Sequence, residues 1–457
     1  MEGQPTKKYG LMFAIAMVVG IVIGGGVFFK AEAVLRATGG NMGMGILAWL
    51  TVGVIMIVCA CTFSIMASKY EKVNGIVDYA EMMVGKTYSY YVSWFMTVIY
   101  YPSLASVLSW VSARYLCVLL GFPIAGGECM VIACFFLCAS YSINTLSPIL
   151  AGKIQVSTTI IKLIPLLSMA ILGTSFGLRH GITMRNFTTA LTAQEISAAT
   201  GYAPSHSPWL ASVVAVAFAY EGWIIATSIN AELKDAKRNL PRALMIGSIL
   251  VVTIYILYYI GVAGGIDKLE LIASGEAGVV KAFSAVFGHV GGYFFMVFVI
   301  VSCLGTLNGL MLASTRGIFS IAVRGRGPAP HMFRQIDPVT DMPGNSAVMG
   351  LLLSSAWLVY FYGAHLTEPW FGPFSFDSSE LPVITLYAMY LPIFIMMMIR
   401  EKKLPFFQRM IMPLLSSIGC IFIAAAAVAA HKWECFYYFI VFGVLMLIGS
   451  LFQKKSE

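Results

Sequence analysis

The chain has 457 residues, of which 59% are hydrophobic and only 11% are charged. Water-exposed globular domains carry about 25% charged residues, so a soluble protein is excluded. The formal charge of +8 follows loop positions rather than forming a basic patch, so no nucleic-acid partner is expected.

The polar start "MEGQPTKKYG" leads into an apolar stretch at 11–37 that is too long for a signal-peptide core and lacks a small-residue cleavage site, so it is read as a retained span. Further apolar runs follow at 44–67, 88–120, 127–146, 150–176, 208–231, 241–264, 284–322, 346–363, 381–399, 411–430 and 434–452, twelve spans in all. Each reaches the ~20 residues needed to cross about 30 Å of hydrocarbon. In lipid such runs must be helices, because backbone polar groups need internal partners. The ~10-residue alternation of a membrane β-barrel is absent. The expected fold class is therefore an all-α integral membrane protein of about twelve transmembrane helices forming one domain.

Placing the N-terminus in the cytoplasm puts Lys7, Lys8, Lys69, Lys72, Lys234, Lys237, Arg238, Arg242, Arg324, Arg326, Arg334, Arg400, Lys402, Lys403, Arg409, Lys454 and Lys455 inside. Outside stand mainly Arg36, Arg179, Arg185, Lys268, Lys281 and Lys432. This bias puts both termini inside, with the cell membrane as the expected location. The longest exterior stretch, 178–207, has room for a short amphipathic helix. The nine cysteines lie mostly within spans as small packing residues. No His, Cys or carboxylate spacing calls for a metal, and no cofactor is expected. The absence of H-E-x-x-H, G-x-S-x-G and G-x-x-x-x-G-K-[ST] argues against an enzyme or an ATP-driven pump.

Two spans carry interruptions. "AIAMVVGIVIGGGVFFKAEA" sets Gly24, Gly25 and Gly26 in mid-span, although each glycine costs roughly 1 kcal/mol in a helix against alanine. "WLASVVAVAFAYEGWIIATSIN" sets Glu221 and Gly222 at a matching depth of the sixth span, which runs in the opposite direction. Broken helices in corresponding positions of oppositely oriented halves point to an inverted-repeat transporter. The expected halves are 11–176 and 208–399, with peripheral helices at 411–452. An unwound stretch offers bare amides and a helix N-terminus to a carboxylate, and carbonyls to an ammonium, which fits a zwitterionic amino acid. For the glycines alone, the alternative is close helix packing, with Gly20 and Gly24 as a small-xxx-small pair.

Gly24-Gly25-Gly26-Val27-Phe28 resembles the "G-S/T-G-I-F" signature of the amino acid–polyamine–organocation (APC) superfamily. Phe218-Ala219-Tyr220-Glu221-Gly222-Trp223, then Glu232 and Arg238-Asn239-Leu240-Pro241, resemble its L-type amino acid transporter branch, in particular bacterial serine/threonine-exchanger-like members. "YYPSLASV" at 100–107, and Thr306, Asn308, Gly309, Ser314 and Arg316, extend the resemblance to the third and eighth spans. The resemblance implies a 5+5 inverted-repeat, LeuT-like fold with discontinuous helices 1 and 6, and no enzymatic activity. It implies a substrate site at Val22, Gly24, Gly25, Gly26, Phe218 and Glu221. The amides of Gly25 and Gly26 would take the carboxylate. The carbonyls of Val22, Phe218 and Glu221 would take the ammonium, and Phe218 would also be the lid. Where relatives have Ser or Thr the chain has Gly25, so one hydroxyl contact is missing.

Lys162, in "STTIIKLIPLLSMAIL", matches a lysine of that branch and would stand as a fixed cation in place of sodium, with Ser302 and Thr306 as oxygen partners; the alternative is a snorkelling lysine. Lys153 and Arg114 are expected to snorkel. Glu221 has three open readings: binding a substrate cation, carrying a proton, or pairing with Lys162 or another polar group. Glu232 and Arg238 are expected to form an inner gate or loop salt bridge. The leading function is sodium-independent exchange of small or medium neutral L-amino acids. The alternatives are a proton-coupled symporter, including one for cationic amino acids, in which Glu221 or Lys162 titrates, and a membrane amino acid sensor. Expected partners are the amino acid substrate and membrane lipids. A heavy-subunit glycoprotein, which in relatives bonds to an exterior cysteine near Cys129, is not expected.

Overall fold

The computed structural model describes residues 7–71, 74–124, 126–200, 208–366 and 368–453. Lys72, Lys454 and Lys455 of the set expected inside, and the 201–207 end of the 178–207 loop, lie outside the described residues. Among the described residues the regular structure is helical, apart from an isolated bridge between Tyr9 and Leu233. Among the described residues, eleven helices are long and apolar enough to cross a membrane. The remaining expected span is divided into Leu11–Val22 and Gly26–Ala37. At 1.5 Å per residue each half covers about 18 Å, so only the two together make a crossing.

The other ends lie close to those expected from hydropathy, with one instructive shift. The seventh span begins at Ala236 and carries Pro241 inside it, where the sequence pattern starts the helix at the proline. Pro241 sits in the second turn, so it removes a ladder bond close to the helix end. The short helix expected in the 178–207 loop exists as Ile182–Thr188 and Ala193–Thr200. Thr192 and Glu195 close a capping box there: the Thr192 N–H donates to Oε2 of Glu195 over 2.7 Å, and the Glu195 N–H donates to Oγ1 of Thr192 over 3.2 Å. The Thr192 backbone N–H holds the Glu195 carboxyl below its usual range. Asn186 ties the loop down, donating to the carbonyls of Ala263 at 2.7 Å and Ile266 at 2.9 Å.

Burial separates centre from edge. In the sixth and eighth spans 72% of the most apolar window is buried, against 17% in the twelfth, Trp433–Ser450. The outer faces expose large apolar side chains such as Val131, Phe135, Ile160, Ile171, Ile421 and Leu447. That surface suits a hydrocarbon surround and would be an aggregation hazard in water.

Candidate functional site

The first span leaves helical geometry at Ile23, with φ −74° and ψ 79°, and resumes at Gly26. The Gly24 N–H turns back to the Val22 carbonyl at 2.8 Å. None of the three glycines takes a left-handed φ. They are needed for space. A Cβ on Gly24 would stand 3.4 Å from Thr306 Oγ1, one on Gly25 would stand 2.8 Å from Cys303 Sγ, and one on Gly26 would stand 3.3 Å from both the Ala219 Cα and the Phe218 ring. Gly25 and Gly26 begin the second half-helix, where N–H groups lack intrahelical acceptors.

The break frees carbonyls at its other end, and Lys162 takes them. Its ammonium donates to Gly20 O at 2.6 Å, Ile23 O at 2.7 Å, Ser302 O at 3.1 Å and Thr306 Oγ1 at 3.2 Å. The lysine is fully buried, so it does not snorkel. Ser302 meets it through the backbone carbonyl, while its hydroxyl donates to Ile23 O at 3.1 Å and Gly24 O at 3.3 Å. Thr306 adds a hydroxyl bond to Gly20 O at 3.0 Å. One cation and two hydroxyls thus join the fifth, first and eighth spans.

The sixth span runs as a helix over Pro208–Ala219, turns at Gly222 with φ 103°, and continues as a tight 3₁₀ helix over Trp223–Glu232. Gly222 is the break position where conformation itself demands glycine; a Cβ would also meet Ile21 Cγ2 at 2.7 Å. The 3₁₀ form rises about 2.0 Å per residue, so ten residues reach further than an α-helix would. Tyr255 links the two breaks, donating to Val22 O at 2.8 Å and Ala219 O at 3.1 Å. Nothing in its apolar, tyrosine-rich surroundings marks it out in the sequence. The Phe218 carbonyl accepts from the Glu221 N–H at 3.2 Å.

Glu221 does not pair with Lys162. Its Oε1 accepts from the Tyr100 hydroxyl, and its Oε2 has no hydrogen-bond partner among the described residues. A cavity of about 40 Å³ lies between the breaks. Val22, Gly24, Gly25, Gly26, Phe218, Glu221 and Thr306 all line it, joined by Leu104, Val107 and Leu108 of the third span. Lys162 and Ser302 stand behind that wall.

Towards the termini, Glu232 pairs with Arg316 rather than with the expected Arg238. Arg316 also donates to Leu312 O at 2.6 Å. The N-terminal segment closes over this pair: Tyr9 N–H donates to Glu232 O at 3.1 Å, and Lys234 N–H donates to Tyr9 O at 2.8 Å. Arg316 is recognisable in the sequence only by its place in the eighth-span pattern. Its partner is fixed by how the sixth and eighth spans meet.

Cys303 gives the Gly25 departure a physical partner, because its sulfur occupies the space that a residue-25 side chain would need. Gly25→Ser alone is expected to lower apparent substrate affinity, roughly tenfold, equivalent to about 1.4 kcal/mol. Adding Cys303→Ala should recover most of it. Competition binding on the single and double variants measures the coupling. Equal loss in both would show that the two positions are independent.

Known proteins resemble this chain over most of its length. The chain is 27% identical over 452 residues to the serine/threonine exchanger SteT of Bacillus subtilis (strain 168), covering 97% of this chain and 94% of that one. It is 26% identical over 347 residues to the large neutral amino acids transporter small subunit 2 of Rattus norvegicus, covering 74% of this chain and 62% of the relative. The crystal structure of MhsT in complex with L-phenylalanine shares the fold, with a TM-score of 0.60 at 13% identity, over 92% of this chain and 100% of that one. The LeuT-like fold that the family resemblance implies is thus the one adopted. A family model described as amino acid permease matches residues 9–447, and the chain belongs to that amino acid permease family.

Proposed function

We propose that the protein is a sodium-independent secondary transporter that exchanges small or medium neutral L-amino acids by alternating access. It would work in the cell membrane with both termini in the cytoplasm. The observation that carries this reading is the Lys162 ammonium bonded to Gly20 O and Ile23 O. A fixed cation there organises the break without a bound sodium ion. The half-helix starting at Gly26 then turns its N-terminal amides to a substrate carboxylate. Carbonyls of Val22, Phe218 and Glu221 would receive the ammonium, and Phe218 would act as the lid. The cavity of about 40 Å³ favours a small side chain, since each water-sized position takes roughly 10–15 Å³. In this reading 11–176 and 208–399 are the inverted halves and 411–452 is peripheral. The protein moves its substrate without chemical change.

Cys129 supports a protein that works without a heavy subunit. It is fully buried in the helix Gly127–Leu146, where it cannot bond to a partner chain. The unpartnered Oε2 of Glu221 favours a second reading, proton-coupled uptake or recognition of a cationic side chain. Counterflow in proteoliposomes separates the two. Exchange predicts that labelled serine enters only when unlabelled amino acid is inside, with or without sodium. Uptake into empty liposomes driven by an imposed pH gradient would replace this reading with the second. Binding without flux under either condition would make the protein a sensor.

A further inference from the structure

We propose that Lys30, Glu380 and His431 form a latch that holds Phe218 over the cavity from the face opposite the termini, and that protonation of His431 closes it. The latch deepens the transport reading above and rests on it.

Lys30 extends from the half-helix Gly26–Ala37. Its ammonium lies over the Phe218 ring, 5.5 Å from the centroid, within the range at which a cation is attracted to a ring face. The same ammonium pairs with Oε1 of Glu380 at 2.9 Å. Glu380 immediately precedes the tenth span, Leu381–Arg400. Its Oε2 lies 3.0 Å from Nε2 of His431, the last residue of the helix Met412–His431. Nδ1 of His431 lies 3.3 Å from Oε2 of Glu434, on the twelfth span. A chain of charges therefore runs from the peripheral helices to the ring above the substrate cavity.

Each imidazole nitrogen faces a carboxylate. Nδ1 hydrogen-bonds to Glu434, whereas Nε2, which has no hydrogen-bond partner among the described residues, meets Glu380 by proximity alone, so only the positively charged imidazolium is attracted to both carboxylates. The groups facing His431 are Glu380 and Glu434, with Lys30 beyond Glu380. The small cavity that Phe218, Glu380 and His431 share is otherwise lined by apolar residues, among them Val214, Ile384 and Ala427. The Lys30, Glu380 and His431 side chains are 24%, 17% and 16% exposed, so the chain is partly withdrawn from water. Such pairs are screened less than surface ones.

The electrostatics have the sign that a latch needs. The adjacent Glu380 carboxylate raises the His431 pKa above its ordinary value, outweighing burial. Burial alone would raise Glu380, but Lys30 and His431 bring its carboxyl down to about 2. Glu380 therefore stays ionised across the working range. A histidine whose pKa is raised in the closed arrangement stabilises closure while protonated, and that stabilisation is lost as pH rises through the raised pKa. External acid then favours the closed lid, and alkali weakens the hold on Phe218 while the Lys30–Glu380 pair remains.

The test reads lid opening without substrate. Val107→Cys places a thiol on the cavity wall of the third span. It is labelled in right-side-out vesicles with a membrane-impermeant thiol reagent, and modification of that peptide alone is followed by mass spectrometry. His431→Gln on the same background is compared with the parent at each pH, so the pH dependence of thiol reactivity cancels. The pH values lie about two units either side of the ordinary histidine value of ~6.5. At the acid value His431→Gln should label at least about threefold faster than the parent, and at the alkaline value equally fast. Glu380→Gln and Lys30→Gln should label faster than the parent at both. Equal rates for His431→Gln and its parent at the acid value would overturn the proton-driven step. Parent-like labelling of both Glu380→Gln and Lys30→Gln would overturn the latch itself. Counterflow on the parent decides the transport reading separately, because a working latch with no exchange of any amino acid would leave only that reading failed.

Discussion

Lys162→Ala is expected to reduce exchange to background, a loss of at least about a hundredfold, in protein that still purifies as a monodisperse species. The ammonium holds four oxygens that belong to the first and eighth spans. Without it, Gly20 O and Ile23 O keep only hydroxyl donors from Thr306 and Ser302. Each buried acceptor left short of a partner costs about 1–3 kcal/mol. Two such losses sum to about 2–6 kcal/mol, a range that brackets the roughly 2.8 kcal/mol that corresponds to a hundredfold. The cost falls on the arrangement in which the break is held shut, so the cycle loses a state it must pass through. Counterflow rate per mole of protein, alongside thermal unfolding, is the measurement. Wild-type flux would reduce Lys162 to packing, and its geometric agreement with the break would then be incidental.

Gly26→Leu is expected to abolish substrate binding, with affinity falling beyond the measurable range in a competition assay. A Cβ at residue 26 already meets the Ala219 backbone and the Phe218 ring at 3.3 Å. The three further carbon atoms of leucine must then enter a cavity of about 40 Å³. They would also cover the first amides of the second half-helix, which the proposed carboxylate site needs. Gly10→Leu is the matched control, because nothing lies within 4 Å of a Cβ there. That variant should bind normally. Unchanged affinity in Gly26→Leu would move the substrate site away from the breaks.

Much of the architecture was legible because the bilayer is an exacting solvent. A span must be apolar for about 20 residues and must satisfy its own backbone, so length and hydropathy locate nearly every spanning helix. The two breaks were legible for the same reason: glycines and a carboxylate in mid-span contradict those requirements and stand out against them. The purpose of the glycines was only partly readable. The sequence left an unwound stretch and close packing both open, and Gly24, Gly25 and Gly26 take no left-handed φ and serve close approach to Thr306, Cys303 and Ala219. Close approach depends on which spans cross at that depth, which no local pattern records.

The sequence by itself determined that the chain crosses the membrane about a dozen times, that two crossings are interrupted at matching depth, and that Lys162 and Glu221 are charges out of place. These follow from the cost of polar groups in hydrocarbon, which is paid residue by residue and can be read locally. Only the tertiary structure decided where those charges go: Lys162 to the carbonyls of the first break, Glu221 to Tyr100, Glu232 to Arg316, and Lys30 through Glu380 to His431. Each of these contacts joins segments more than a hundred residues apart or lying on different helices. Pairing over such distances is set by helix crossing and rotation, which depend on the packing of the whole bundle.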